Sequence, residues 1–130
     1  MIHLTVVTPE RKLVDRQVDE VILPGSEGYL GVLPGHAPLL TSLKVGQISY
    51  RHEGRMHQMA VAWGFAEILP DRVSVLADIA ERAEDIDPER AKKARERAEE
   101  RLRRGTDVDW DRARVALEKA ITRLQVASKS

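Results

Sequence analysis

The first part of the chain alternates apolar and polar positions with the two-residue period of β-strands. In IHLTVVT, the side chains of Ile2, Leu4 and Val6 share one face, which is the pattern of a strand half-buried against a core. The segment QVDEVILPG alternates in the same way and stops at Pro24 and Gly25. This part of the chain is therefore predicted to form short strands.

Two further segments predict β-hairpins. GQISYRHEGRMHQMAVAWG carries two alternating runs around Glu53 and Gly54, and FAEILPDRVSVLAD carries two more around Pro70 and Asp71. Short strands separated by Gly, Pro and Asp turns are typical of small antiparallel sandwiches and barrels. We therefore predict an N-terminal antiparallel β-sandwich over residues 1–84.

From about residue 79 the pattern becomes that of helices. Asp87 suits an N-cap, Pro88 suits the first helical position, and Gly105 suits a helix C-terminus. Asp109, or Asp107, can cap a second helix through WDRARVALEKAITRLQVA. A turn this short makes the two helices antiparallel. A helical hairpin is therefore predicted to follow the sandwich.

The predicted hairpin, residues 85–130, has an alanine-rich contact between its helices. The first helix contributes a single leucine, Leu102, and burying a leucine stabilises by roughly 1.5–3 kcal/mol. Helix propensity is high throughout, so each helix is expected to persist whether or not the pair stays packed. Two interpretations stay open, a hairpin fixed on the sheet and an element that opens and extends. The predicted contact residues are Ala91, Ala94, Ala98, Leu102, Ala113, Leu117, Ala120 and Leu124.

Composition restricts the function without specifying it. The 130 residues carry 21 basic and 21 acidic side chains, and this balance argues against nucleic-acid binding as the main function. The absence of cysteine excludes disulfides, thiolate metal ligands and cysteine nucleophiles. No apolar run approaches the ~18 residues of a membrane span, and the start of the chain has no export signal. These features predict a soluble, cytoplasmic protein.

The histidines give neither a catalytic site nor a metal site. His36 has no nucleophile elbow to serve, and His52 and His57 alone make a poor metal site. GSEGYLGVLPGH lacks the Lys-Ser/Thr of a phosphate-binding P-loop and is predicted to be a surface loop. Trp63 is predicted to lie in the core. No catalytic constellation is predicted.

Basic residues gather on one flank of each predicted helix. A helix turns about 100° per residue, and this rotation places the following basic residues on one flank: Arg90, Arg97, Arg101 and Arg104 on the first helix, and Arg112, Lys119 and Arg123 on the second. In an antiparallel pair these flanks meet, and like charges repel unless an anion lies between them. A helix N-terminus with convergent arginines is a reasonable phosphate site. The simpler interpretation, arginines that are solvated on an exposed helix, stays open.

Three segments resemble the epsilon subunit of bacterial F-type ATP synthases in sequence, spacing and order. They are GSEGYLGVLPGHAPLLTSLKVG, VSVLAD and DVDWDRARVALEKAITRL. The resemblance implies a non-catalytic rotor subunit of a proton-translocating enzyme, peripheral at the cytoplasmic face of the bacterial membrane. Its β-sandwich would contact the gamma subunit and the c-ring, while its hairpin would fold onto the sandwich or extend into the alpha/beta catalytic head and inhibit ATP hydrolysis. The interface residues implied are Gly35, His36, Ala37 and Pro38.

Some members of that family bind ATP as a regulatory ligand on the folded hairpin, through a motif of the form Ile/Leu-Asp-x-x-Arg-Ala. IDPERA matches this motif. The residues that the resemblance assigns to the nucleotide are Glu81, Ile86, Asp87, Arg90, Ala91, Arg97, Lys119 and Arg123. Whether Mg²⁺ accompanies ATP stays open.

The resemblance also implies which residue meets which part of the nucleotide. Glu81, Asp87 and Ala91 would surround the base and ribose, and the phosphates would be held by Arg90, Arg97 and Arg123. Lys119 stands where nucleotide-binding members place an arginine, and lysine loses the bidentate fork. Two alternatives remain: the same subunit without nucleotide sensing, and a free-standing β-sandwich adaptor.

Overall fold

In the computed structural model, which describes residues 1–105 and 109–128, eight strands precede two helices. A short 3-10 helix, Ala83–Asp85, joins the two parts. The predicted β-sandwich followed by a two-helix hairpin is confirmed. The elements are β1 (Ile2–Val7), β2 (Lys12–Val18), β3 (Glu20–Gly25), β4 (Gly28–Val32), β5 (Leu39–Leu43), β6 (Gly46–His52), β7 (Arg55–Leu69), β8 (Arg72–Arg82), α1 (Pro88–Arg104) and α2 (Trp110–Ala127).

The strands are hydrogen-bonded in the order β2-β1-β8-β7-β5-β3-β4, and β6 pairs with β3 and β7. The pair β1–β8 is parallel, and the other pairs among the described residues are antiparallel. Strand β7 pairs with β6 along its first half and with β5 along its second half. A single long strand therefore joins the β6 side of the sandwich to the β5 side.

The core lies between the inward faces of the strands, as the alternation predicts. Ile2, Leu4 and Val6 are fully buried, and the intervening positions of β1 are only partly buried. Each such side chain contributes roughly 1.5–3 kcal/mol through burial. Other large side chains that are fully buried include Leu23, Ile48, Met59 and Ile68.

The prediction of a surface loop over GSEGYLGVLPGH is wrong for half of that segment. Strand β4 spans Gly28–Val32 within it and pairs with β3, while residues 33–38 form the loop. Strand β5 was not predicted either. In both strands the burial follows no alternation, because only the last residue of each, Val32 and Leu43, is buried. These strands are held by backbone pairing, which leaves no apolar period in the sequence.

The prediction that Trp63 lies in the core is also wrong. The residue is 39% exposed and has a positive φ of 56°, and the next residue, Gly64, has a φ of 132°. Core positions in β7 are odd-numbered before this point, at Met59 and Val61, and even-numbered after it, at Ala66 and Ile68. The backbone turn at 63–64 inverts the inward face of the strand, so the alternation misplaces the tryptophan.

The caps of both helices form as predicted. Asp87 accepts hydrogen bonds from the backbone N–H groups of Glu89 and Arg90, at 3.0 and 3.3 Å, and Gly105 ends α1 with a φ of 72°. Asp109 caps α2 through the backbone N–H of Arg112. The alternative cap, Asp107, lies outside the described residues.

The two helices pack together through small side chains, as the alanine-rich contact predicts. In the part of α1 and α2 that the structure describes, no segment is long and apolar enough to cross a membrane. Four predicted contact residues are partly buried, namely Ala94, Leu102, Leu117 and Leu124. The buried alanines of the contact are Ala91 and Ala98 on α1 and Ala113 and Ala120 on α2.

Candidate functional site

The second helix docks the hairpin on the sandwich. Val126 of α2 belongs to one buried cluster with Ala60 of β7 and Ile86. The side chain of Gln47 donates a hydrogen bond to the side chain of Gln125 at 2.8 Å. The structure therefore shows the hairpin folded down, with α2 between α1 and the sheet.

A cleft opens where the end of β8, the start of α1 and the end of α2 meet. Its volume is about 320 Å³, within the range of small-ligand sites. The folded hairpin is required for it, because one wall belongs to each helix. The cleft is lined by Glu81, Asp85, Ile86, Asp87, Arg90, Ala91, Ala94, Arg97 and Arg123.

Seven of the eight nucleotide residues implied by the resemblance line this cleft, and Lys119 does not. The Lys119 Nζ lies over the indole ring of Trp63, 4.4 Å from the ring centroid. Sequence reasoning missed Asp85 and Ala94. Ala94 could have been found, because it lies on the same helical stripe as Ala91. Asp85 is held by Arg11, 74 positions away in sequence, and carried no local signal.

Two arginines in the cleft lack a counter-charge. Within residues 1–105 and 109–128, the side chains of Arg90 and Arg97 form no ion pair and no hydrogen bond. Arg123 donates from Nε to the Glu81 carboxylate at 2.6 Å, in a partly buried pair. Its terminal amino groups make no hydrogen bond to the part of the chain that the structure describes. The cleft therefore offers guanidinium groups to an anion.

The carboxylates of the cleft are engaged elsewhere. Asp87 is occupied by the cap of α1, and Glu81 by Arg123. Asp85 accepts from Arg11 at 2.7 Å and from the backbone and side chain of Arg82, both at 3.2 Å. Burial opposes ionisation of Asp85, but these hydrogen bonds outweigh it and hold the pKa of the carboxyl below its ordinary value. These acids therefore leave Arg90 and Arg97 unneutralised.

The N-terminus of α1 is not the phosphate site that the sequence suggested. Pro88 has no backbone N–H, and the N–H groups of Glu89 and Arg90 already donate to Asp87. The capping carboxylate also compensates the positive end of the helix dipole. Any anion in the cleft therefore depends on the arginine side chains and not on the helix terminus.

Glu81 and Arg123 meet directly, although the resemblance assigns them to opposite ends of the nucleotide. Their ion pair joins the end of β8 to α2 across the wall of the cleft. The same pair therefore attaches α2 to the sandwich and orients Arg123.

The implied interface residues lie in the loop between β4 and β5. Gly35 has a φ of 87°, and His36 forms a hydrogen bond through Nδ1 with the carbonyl oxygen of Ala37 at 2.7 Å. Pro38 precedes β5 and is exposed. None of these residues lines the cleft, so the loop is a separate feature of the sandwich.

Family models of ATP synthase subunits match both parts of the chain. The model described as "ATP synthase, Delta/Epsilon chain, beta-sandwich domain" matches residues 1–83. The model described as "ATP synthase, Delta/Epsilon chain, long alpha-helix domain" matches residues 84–128. Together they account for nearly the whole sequence.

Curated relatives give the same result. The chain is 53% identical over 97 residues to the ATP synthase epsilon chain of Koribacter versatilis, covering 75% of this chain and 68% of the relative. It is 52% identical over 105 residues to the ATP synthase epsilon chain of Carboxydothermus hydrogenoformans, covering 81% and 78%.

Solved structures share the fold. A chain in the mitochondrial ATP synthase of Euglena gracilis aligns with a TM-score of 0.83 and 27% identity, over 98% of this chain and 81% of that one. A chain in the central stalk and c-ring of the Tetrahymena thermophila enzyme aligns with a TM-score of 0.56 and 12% identity, over 98% and 94%.

Proposed function

The chain belongs to the ATP synthase delta/epsilon family, and we propose that it is an ATP-sensing epsilon subunit of the bacterial type. As an epsilon chain it is a non-catalytic subunit of the central stalk. The finer proposal is that ATP binds in the cleft and stabilises the folded hairpin. The extended hairpin would then inhibit ATP hydrolysis, and ATP would oppose that inhibition.

One observation carries the ATP proposal. Arg90 and Arg97 face a cleft without a counter-charge among the described residues, and Arg123 faces the same cleft from the other helix. Guanidinium groups suit phosphate oxygens because they can donate two parallel hydrogen bonds. The IDPERA segment supplies four of the lining residues and matches the nucleotide motif of the family.

The proposed switch is possible because α1 and α2 each supply one wall of the cleft. Arg123 belongs to α2 and Arg90 to α1, so opening the hairpin separates them. A ligand that binds only the folded state stabilises it by RT ln(1 + [L]/Kd). ATP therefore acts as a regulatory ligand and not as a substrate.

We infer the contacts of this subunit with the other subunits from its family. The sandwich, residues 1–84, would couple the gamma subunit to the c-ring, with Gly35, His36, Ala37 and Pro38 at the interface. The hairpin, residues 85–130, would reach the alpha/beta head when extended. The subunit would be held at the cytoplasmic face of the membrane through the complex.

Isothermal titration of the purified chain with ATP tests the proposal. Wild type is expected to bind, and Arg90→Ala and Arg97→Ala to lose at least about tenfold in affinity, since a hydrogen bond to a charged group contributes ~1.5–3 kcal/mol. Lys93→Ala is the matched control, an exposed α1 cation outside the cleft, and should bind like wild type. No heat from wild type at millimolar ATP would refute nucleotide sensing.

A second candidate is the same subunit without nucleotide sensing. The Glu81–Arg123 pair favours it, because this pair docks α2 and occupies one of the arginines without any ligand. In that case Arg90→Ala would have the same effect on the inhibition of ATP hydrolysis, in the assembled enzyme, whether the ATP concentration is kept high or allowed to fall.

A further inference from the structure

We propose that Trp63 and Lys119 form a latch that docks the folded hairpin, and that Lys119 is a docking residue and not a phosphate ligand. The latch itself is independent of nucleotide, while the second statement rests on the proposed ATP site. Lys119 stands where nucleotide-binding members of the family place an arginine, and in this chain it would contact the sandwich and not the phosphates.

The geometry gives Lys119 one charge partner, and that partner is an aromatic ring. Its Nζ lies 4.4 Å from the Trp63 centroid, within the ~6 Å over which a cation is attracted to an indole face. No carboxylate in residues 1–105 or 109–128 forms an ion pair with Lys119. Trp63 is therefore the group that holds the ammonium.

Trp63 and Lys119 border an open cleft of about 540 Å³ at the start of α2, but on the side toward Arg123 α2 fits closely against the sheet. The crevice between them holds only about 10 Å³ and is lined on the sheet side by residues that include Val45, Ala62 and Ile79. Lys119 lines the same crevice and is partly buried. Its methylene stem thus packs against apolar surface while its ammonium reaches the ring, as long cationic side chains commonly do.

The backbone of β7 is shaped to present the tryptophan. A positive φ is rare for a bulky residue, and such conformations cluster at functional positions. Trp63 has a φ of 56°. In regular alternation after Met59 and Val61 its ring would point into the core. The turn at 63–64 directs the ring outward instead, to the side where α2 lies.

The basic residues of the hairpin make two different kinds of contact. Arg90, Arg97 and Arg123 line the cleft, whereas Lys119, one helical turn before Arg123 on the same face of α2, reaches Trp63 on the sheet. Together with the Glu81–Arg123 pair, which borders the same narrow crevice as Lys119, the latch attaches α2 to the sandwich. These contacts therefore favour the folded hairpin in the absence of ATP, and ATP binding would stabilise the folded hairpin further.

Hydrogen exchange of the nucleotide-free chain tests the latch. Lys119→Met keeps the stem and removes the charge, and Trp63→Leu removes the ring. A cation–π contact at such a site corresponds to about a two- to fivefold change in an equilibrium. Each variant should raise the exchange rates of α2 amides by that factor and leave the β1 and β8 amides unchanged. Lys119→Arg should exchange like wild type, and so should the control Lys93→Met.

The double variant decides whether the two residues act together. Exchange in Trp63→Leu/Lys119→Met should be no faster than in the more affected single variant. Multiplying effects would overturn the latch, because they mean that the two side chains stabilise docking independently. These arms need no ATP, so they stand even if the nucleotide proposal fails.

An ATP titration tests the second statement. Lys119→Met should weaken ATP binding by no more than the same two- to fivefold factor, because it acts only through docking. A loss of more than about tenfold, as expected for a lost charged hydrogen bond, would overturn the statement that Lys119 is not a phosphate ligand. Arg97→Met provides the reference for a lost phosphate contact, because the Arg97 side chain forms no ion pair within residues 1–105 and 109–128.

Discussion

At the scale of single residues, Asp85 connects parts of the chain that are distant in sequence. Its carboxylate accepts hydrogen bonds from Arg11, between β1 and β2, and from Arg82 at the end of β8. The next residues, Ile86 and Asp87, begin the IDPERA segment that lines the cleft. Asp85 therefore fixes the point at which the chain leaves the sandwich and enters the hairpin, and with it one edge of the cleft.

Replacing Asp85 should weaken the fold in a pH-dependent way. The pKa of Asp85 is lower in the folded chain than its unfolded value of about 3.9, because the hydrogen bonds outweigh the effect of burial. The carboxylate therefore contributes stability above that value, and the contribution is lost as pH falls through the folded pKa. Asp85→Asn should lower the free energy of unfolding by about 1–2 kcal/mol at pH 7.

Urea unfolding at pH 7 and at pH 3 checks this expectation. The difference between wild type and Asp85→Asn should shrink at the lower pH. Asp15→Asn is a suitable control, since Asp15 also has a lowered pKa, through hydrogen bonds from Lys12 and His3, but is more exposed than Asp85, on β2. A difference at Asp85 that is equal at both pH values would contradict the assigned role of its charge.

At the scale of elements, the turn in β7 determines which surface the hairpin covers. Before the turn, Ala60 and Ala62 lie under α2, and after it Phe65 is exposed. Gly64 makes the turn possible. Its φ of 132° is accessible to glycine alone, and a methyl group there would overlap the carbonyl oxygen of Leu76 in the neighbouring strand.

Gly64→Ala should therefore destabilise the sandwich by about 3 kcal/mol or more. For a chain of this size that corresponds to a fall of about 10 °C in Tm, measurable by circular dichroism. Gly31→Ala in β4 is the matched control, because a methyl group at Gly31 meets nothing within 4 Å. If Gly64→Ala unfolds at the wild-type temperature, the turn is not the constraint described above.

The elements that the sequence predicted well are those with local causes. The caps of α1 and α2 follow from Asp87, Gly105 and Asp109, and each cap acts within three or four residues of itself. Strand β4 was missed although its partner β3 is adjacent in sequence, and β5 pairs with the distant β7. Neither strand has an apolar period that would reveal it, since only its last residue is buried. Trp63 was misplaced because a two-residue period cannot anticipate a backbone turn within a strand.

At the scale of the whole molecule, the site was predictable in its membership but not in its use. The motif and the basic flanks identified six residues that line the cleft, and the resemblance added Glu81. They did not indicate that Glu81 binds Arg123 or that Lys119 reaches Trp63. Each of these depends on how the hairpin is docked, and docking joins segments about 40 to 80 positions apart.

Docking also allows the proposed switch to be locked. Ala60 and Val126 belong to one buried cluster between β7 and α2, and the chain contains no cysteine. A disulfide in Ala60→Cys/Val126→Cys should hold the hairpin down, provided the geometry accepts the bond. Because ATP would then bind a hairpin that is always folded, its apparent Kd should equal the wild-type value multiplied by the fraction of wild type that is folded.

The locked subunit makes the clearest test of the switch in the assembled enzyme. When the double variant is oxidised, inhibition of ATP hydrolysis should disappear and should no longer depend on ATP, since the hairpin cannot extend. A reductant should restore both, and each single cysteine variant should behave like wild type under oxidant. Thiol titration measures how much disulfide has formed. Inhibition that persists in a fully oxidised complex would show that this subunit inhibits without extending its hairpin, and the folded cleft would then have no part in regulation.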